Sequence, residues 1–362
     1  MIRPRRSFLA RCVHMALAVG ATLNLGLAAA QLPTTKLMVG FPAGGGTDAI
    51  ARILAERLQT ELGASVVVEN KPGAGGQLAA QALKAAAPDG HTLFLSHDHS
   101  ITILPMVTKN PGYDSAKDFV PVAGFATFVN AFALSSGTPA TSLKGYADWV
   151  RQQGGGKGAV GIPAPGSVPQ FLVQVIARQN QLDLVAAPYR GSAPMMGDML
   201  GNQIAAGVAS IPDFIENHKA GKLRVVAVMG TQRQAAMPEV PTFAELGLSG
   251  FEEVPYYGVF APAGTPKATL DKLGGAIQKA IAQPDVQGKL TAMGLTVGYM
   301  SSEQLAARER EVAAFLMDGL TSKEIGKQLA ISHRTVEIYR ARLMRKYQAG
   351  SSVDLVHKLI AG

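Results

Sequence analysis

Three glycine-rich turns carry the residues whose type and spacing could do chemistry here. Phe41-Pro42-Ala43-Gly44-Gly45-Gly46-Thr47-Asp48 follows a short apolar run and opens an amphipathic one. The same arrangement recurs at Lys71-Pro72-Gly73-Ala74-Gly75-Gly76 and at Pro165-Gly166-Ser167. A glycine-rich turn at the start of a helix exposes backbone N–H groups, and the helix dipole adds partial positive charge, so such turns suit anions. The first turn lacks the GK[ST] ending of a phosphate loop, and no later glycine completes a GxGxxG pattern. Thr47 is a good helix N-cap by type. A second cluster, His97-Asp98-His99, puts two imidazoles on one side of an extended chain just after Ser96. Two metal ligands are conceivable there, but no third is in view, so a hydrogen-bonding loop is the better reading. No catalytic constellation emerges, and the chain is read as non-enzymatic, with no cofactor and no metal.

These residues need elements to position them. Apolar runs alternate with amphipathic segments from Lys36 onward, and the periodicity predicts helices over 47–62, 77–86, 142–153, 167–180, 192–200, 212–219 and 266–282. Strands between helices of that length argue for βαβ units and a largely parallel sheet. The pattern falls into two sets, with a return segment at Tyr256-Tyr257-Gly258-Val259-Phe260 that is like the first set. It predicts two α/β lobes around a crevice, with lobe one over about 31–125 and 240–307 and lobe two over 126–239. Open α/β sheets bind ligands in a crevice at their strand ends, where the three turns would converge.

Charge is distributed unevenly. Of the net +8, residues 1–30 supply four Arg and no acid, and residues 308–362 supply ten Lys/Arg against six acids. The body between them holds 20 bases and 20 acids, which gives no electrostatic case for nucleic acid there. Arg3, Arg5, Arg6 and Arg11, an apolar run from Val13 to Leu27, and Ala28-Ala29-Ala30 together read as a signal peptide, with Gln31 first after cleavage. The single cysteine, Cys12, precedes the apolar run.

The segments VGFPAGGGTDAIARILAERL, VVVENKPGAGGQLAAQALKAAAPDGHTL, APYRGSAPMMGDMLGNQI, EVPTFAELGL and GVFAPAGTPKATLDKLGGAIQKAIAQPDV are similar in order and spacing to the solute-binding receptors of tripartite tricarboxylate transporters, the Bug or TctC family. The resemblance implies a type II periplasmic-binding-protein fold, closing on a small carboxylate. Its partners would be that carboxylate and the membrane permease subunits of the transporter. The implied ligand shell is Phe41, Ala43, Gly44, Gly45 and Thr47; Gly73, Ala74 and Gly75; Ser96, His97 and His99; and, across the cleft, Ser167, Val168, Tyr189, Arg190 and Gly191. An aspartate common in the family after the QI strand is replaced around Ala209-Ser210. If that acid meets a ligand amine, its loss favours a di- or tricarboxylate without an amino group.

The tail resembles a LuxR-type helix-turn-helix domain, over 308–362. Arg308-Glu309-Arg310-Glu311-Val312, Gly319-Leu320-Thr321, Ile331-Ser332, Thr335-Val336-Glu337 and Arg340-Ala341 carry the match, with Leu305 ahead of them. Thr321 and Glu324 form a capping box. The resemblance implies base contacts from Glu337, Ile338 and Ala341 and phosphate contacts from Lys323, Thr335, Arg342 and Lys346, with Arg334 and Arg340 on the same basic helix. Double-stranded DNA, bound as a dimer, would be the partner. SSEQLAAREREV satisfies both families at once, so the join falls inside one shared helix. An exported body and a DNA-binding tail call for opposite compartments. The alternative to a periplasmic receptor is a cytoplasmic ligand-responsive regulator.

Overall fold

The computed structural model describes residues 33–248 and 254–307. The signal-like 1–30 segment and the tail residues Lys323, Arg334, Thr335, Glu337, Ile338, Arg340, Ala341, Arg342 and Lys346 lie outside them. In chain order the strands are β1 (Thr35–Val39), β2 (Val66–Asn70), β3 (Thr92–His97), β4 (Phe119–Thr127), β5 (Asn130–Ser135), β6 (Lys157–Ile162), β7 (Asp183–Pro188), β8 (Ala206–Ser210), β9 (Leu223–Val228), β10 (Tyr256–Pro262) and β11 (Thr296–Met300). They form two sheets, ordered β11-β4-β10-β3-β1-β2 and β7-β6-β8-β5-β9. The main helices among the described residues are α1 (Gly46–Leu62), α2 (Gln77–Lys84), α3 (Leu143–Gly154), α4 (Val168–Gln179), α5 (Ser192–Leu200), α6 (Ile211–Lys219), α7 (Lys267–Ala282) and α8 (Pro284–Ala292).

The first sheet is covered on both faces because successive residues of its central strands are apolar and point to opposite sides. Leu37 and Val39 of β1 and Leu93 and Leu95 of β3 pack with the buried face of α1. The alternate residues Met38 and Phe94 point the other way, onto Ala79, Ala80 and Leu83 of α2. Ile50, Leu54 and Leu58 recur at helical spacing along α1, each fully or almost fully buried. Each contributes about 1.5–3 kcal/mol relative to exposure. The second lobe repeats this logic around Phe132, Val160, Leu172, Met195, Val208 and Phe214.

The sheets are mixed rather than largely parallel. β1 pairs in parallel with β2 and β3, and β6 with β7 and β8, where helices connect the strands. The strands on either side of the lobe crossings run the other way: β10 lies antiparallel to β3 and β4, and β5 lies antiparallel to β8 and β9. A strand returning from another lobe has no helical crossover to force its direction. The chain enters the second lobe between Thr127 and Asn130. It leaves later than residue 240, because Val240, Phe243 and Leu248 pack into the second core. At the far end residues 302–307 are helical, and Leu305 is fully buried against the first lobe.

Candidate functional site

The elements meet at a cleft that the strand ends point into. Phe41 follows β1, His97 closes β3, and Asp98 and His99 begin a π-helical turn, His99–Ile103. Opposite them stand Ser167 and Val168 at the start of α4, Ser192 at the start of α5, and Ser210 and Asp213 around the start of α6. The floor comes from the crossing segments, through Phe128, Asn130, Pro255 and Tyr257. The atom-free space between these walls is about 530 Å³, including its solvent-open mouth.

His97 sits among aromatic rings. Phe41 stacks on it at 5.2 Å between centroids, and Phe128 and Tyr257 meet it edge-on at 5.8 and 5.7 Å. Its Nδ1 accepts the His99 N–H at 3.3 Å. The two imidazole centroids are 6.1 Å apart, and no grouping of three or more His, Cys, Asp or Glu suited to a metal occurs among the described residues. His99 is 4% exposed, and neither ring nitrogen has a hydrogen-bond partner. Burial, with the His97 ring beside it, pushes its pKa down to about 3, so the imidazole is neutral at physiological pH. The buried Ser96 Oγ is likewise unpartnered. Gly75, at φ 66°, permits this arrangement: a Cβ there would lie 2.6 Å from His99 Nε2.

The first turn is not the open anion cradle its sequence suggests. Gly44 N–H donates to Asp48 Oδ2 at 3.0 Å, and Gly46 N–H donates to Asp213 Oδ1 at 2.8 Å from the other lobe. Burial alone would raise the Asp48 carboxyl, but hydrogen bonds from Arg52, Gly44 and Asn70 outweigh it and hold its pKa low. Asn70 also donates to the Phe41 carbonyl, fastening the turn to β2. Gly45, not Thr47, is the N-cap of α1. Thr47, the second residue of α1, lines the cleft, its Oγ1 3.3 Å from Tyr257 Oη. Burial raises the Tyr257 phenol, with the Asp213 charge adding to it.

The residues expected at the site therefore divide. Phe41, Thr47, His97, His99, Ser167 and Val168 line the deep cleft. Gly73, Ala74, Gly75, Tyr189, Arg190 and Gly191 line a neighbouring opening of about 520 Å³ that shares Phe41 and Pro163 with it. Gly44 and Gly45 face a third, smaller recess beside Ser192 and Asp213, and Ala43 is exposed on the turn. Sequence reasoning named Asp98 only as part of the His97–His99 loop, and missed Ser192, Asp213, Phe128 and Tyr257. Asp213 was the legible one: it stands three residues after Ser210 and lines the cleft, which removes the basis for expecting a ligand without an amino group. Its Oδ1 accepts from Ser192 Oγ at 2.5 Å and its Oδ2 from Ser210 Oγ at 2.6 Å.

Two α/β lobes joined by crossing strands, with polar helix starts facing one cleft, define a solute-binding receptor of the type II periplasmic kind. Residues 50–314 match the Tripartite tricarboxylate transporter family receptor, TctC, and the chain belongs to that family. An UPF0065 protein in the gbd 5′ region of Cupriavidus necator is 33% identical over 311 residues, 83% of this chain and 92% of that protein. Among solved structures, an R. palustris protein with adipate has a TM-score of 0.76 at 27% identity, covering 83% of this chain and 98% of that one. MatC from Rhodopseudomonas palustris with bound malate has a TM-score of 0.68 at 27% identity, covering 84% and 98%. Residues 303–359 match the luxR family of bacterial regulatory proteins. The two matched regions overlap from 303 to 314, where the sequence satisfies both patterns.

Proposed function

We propose that this chain binds a small carboxylated solute by closing its lobes on it, as the extracytoplasmic receptor of a tripartite tricarboxylate-type uptake system. The observation that carries the reading is the interlobe cleft itself, with the buried, unpartnered His99 ring on its wall. Buried polar groups are rarely left unpaired, and a ligand in this cleft would offer the ring a partner. Relatives that share this fold hold malate and adipate. Delivery would be to membrane permease subunits, in the periplasm, after removal of residues 1–30. No helix among the described residues is long and apolar enough to cross a membrane. Calorimetry of the full chain against a panel of small carboxylates tests the binding claim. At least one should bind with a dissociation constant of about 1 μM, near −8 kcal/mol; silence across the panel refutes it.

The luxR-family match supports a second reading, in which the chain stays in the cytoplasm and the lobes sense the solute for a DNA-binding tail. Cell fractionation separates the two. The first reading requires the chain in the periplasm with Gln31 at its N-terminus, and the second requires it in the cytosol with Met1.

A further inference from the structure

We propose that the ligand of this cleft carries a single carboxylate and, at its other end, an uncharged or cationic hydrogen-bond donor in place of a second carboxylate. The inference rests on the receptor reading above and narrows its substrate class. It comes from where the charges stand. Among the described residues lining the deep cleft, the charged side chains are Asp98 and Asp213, both acids, and neither Lys nor Arg is among them. Asp98 is 5% exposed. The nearby His99 is held neutral by burial and offers one N–H and one lone pair, neither of them in use. A second carboxylate placed here would be desolvated beside like charge with no cation to offset it.

Of the helix starts around the cleft, that of α1 is already occupied by carboxylates of the chain. The positive end of α1 faces Asp213, whose carboxylate takes the Gly46 N–H, while Asp48 takes the Gly44 N–H. Asp213 stands there as the chain's own anion, on three hydrogen bonds. The neighbouring opening has the reverse character. Arg190 is the charged residue among the described residues lining it, beside the glycine-rich turn at Gly73 to Gly75. The two openings adjoin at Phe41 and Pro163, and an elongated ligand would cross from one to the other there. Its carboxylate then faces Arg190, and its other end faces Asp98 and the His99 ring with hydrogens to give.

Matched ligands of equal length test this on the full chain by calorimetry. One set is adipate, ε-aminocaproate and the corresponding ω-hydroxy acid; the other is succinate, γ-aminobutyrate and its ω-hydroxy counterpart. In at least one set the amino or hydroxy member should bind more than about tenfold tighter than the dicarboxylate, a difference of about 1.4 kcal/mol. Asp98→Asn should narrow that gap by weakening the amine and strengthening the dicarboxylate. Arg190→Ala, at an exposed position, should weaken every member alike. Dicarboxylates binding as tightly as their partners, or more tightly, would overturn the inference and leave the receptor reading standing. If nothing in either set binds, nor any carboxylate in the wider panel, both fall together.

Discussion

Gly46→Ala should stabilise the first lobe and yet weaken ligand binding. Gly46 is the first residue of α1 in ordinary helical backbone, so alanine there is locally favourable, by up to about 1 kcal/mol on helix propensity. The obstacle lies across the cleft. A Cβ at position 46 would meet Pro212 Cβ at 2.9 Å and Asp213 Oδ1 at 3.0 Å. Both neighbours belong to the start of α6, where proline and the helix leave little room to yield. The lobes must part by a few tenths of an ångström or more, which lengthens the 2.8 Å bond from Gly46 N–H to Asp213. A hydrogen bond to a charged group contributes about 1.5–3 kcal/mol. Loss of that bond from the closed state corresponds to about a tenfold to hundredfold weaker affinity. Calorimetry with the tightest-binding carboxylate of the panel, paired with thermal unfolding, reads both effects. Unchanged affinity would show that closure does not bring α1 against α6, and the interlobe account would be wrong.

Three further outcomes follow from particular residues. Because burial lowers His99 from its ordinary value of 6.5 to about 3, the unfolded chain takes up a proton that the folded chain refuses as pH falls through 6.5. That stability is complete above 6.5 and drops by about 2 kcal/mol by about pH 5; His99→Leu should abolish this share of the slope in denaturant titrations, and an unaltered slope counts against a buried neutral ring. Leu305→Ala, at a fully buried position, should cost the first lobe about 2–5 kcal/mol, although the residue also fits the tail's family pattern; a loss below about 0.5 kcal/mol would place it outside the receptor core. In the tail, Lys346→Ala should weaken binding to all duplex sequences alike and Glu337→Ala should change sequence preference, read by filter binding over a salt series; equal behaviour of the two variants contradicts the assigned contacts.

Local patterns in the sequence foretold the elements well where one residue type dictates one conformation. Helix 192–200 is found at those bounds, and the other helices read from periodicity shift by no more than two residues. β4, β11 and α8 were not legible from periodicity, because β4 carries Pro121 and Gly124 within its length and β11 is partly exposed, so neither alternates cleanly. The turns were recognisable, but the destination of their N–H groups was not. Nothing local to Gly46 announces that Asp213, 167 residues on, will take its hydrogen. Tyr257 reaches Thr47 across a still longer separation, through a return strand whose direction the βαβ pattern does not set. The charge of the cleft was hidden for the same reason: the body holds equal numbers of acids and bases, while the deep cleft gathers two acids.

The most direct test of the central claim is a crystal structure of the full chain with the tightest carboxylate of the panel. The ligand should lie between the lobes, within hydrogen-bond distance of His99, with its carboxylate toward Arg190 and the Gly73–Gly75 turn. A ligand bound outside the cleft, or lobes that hold the same separation with and without it, would contradict the account.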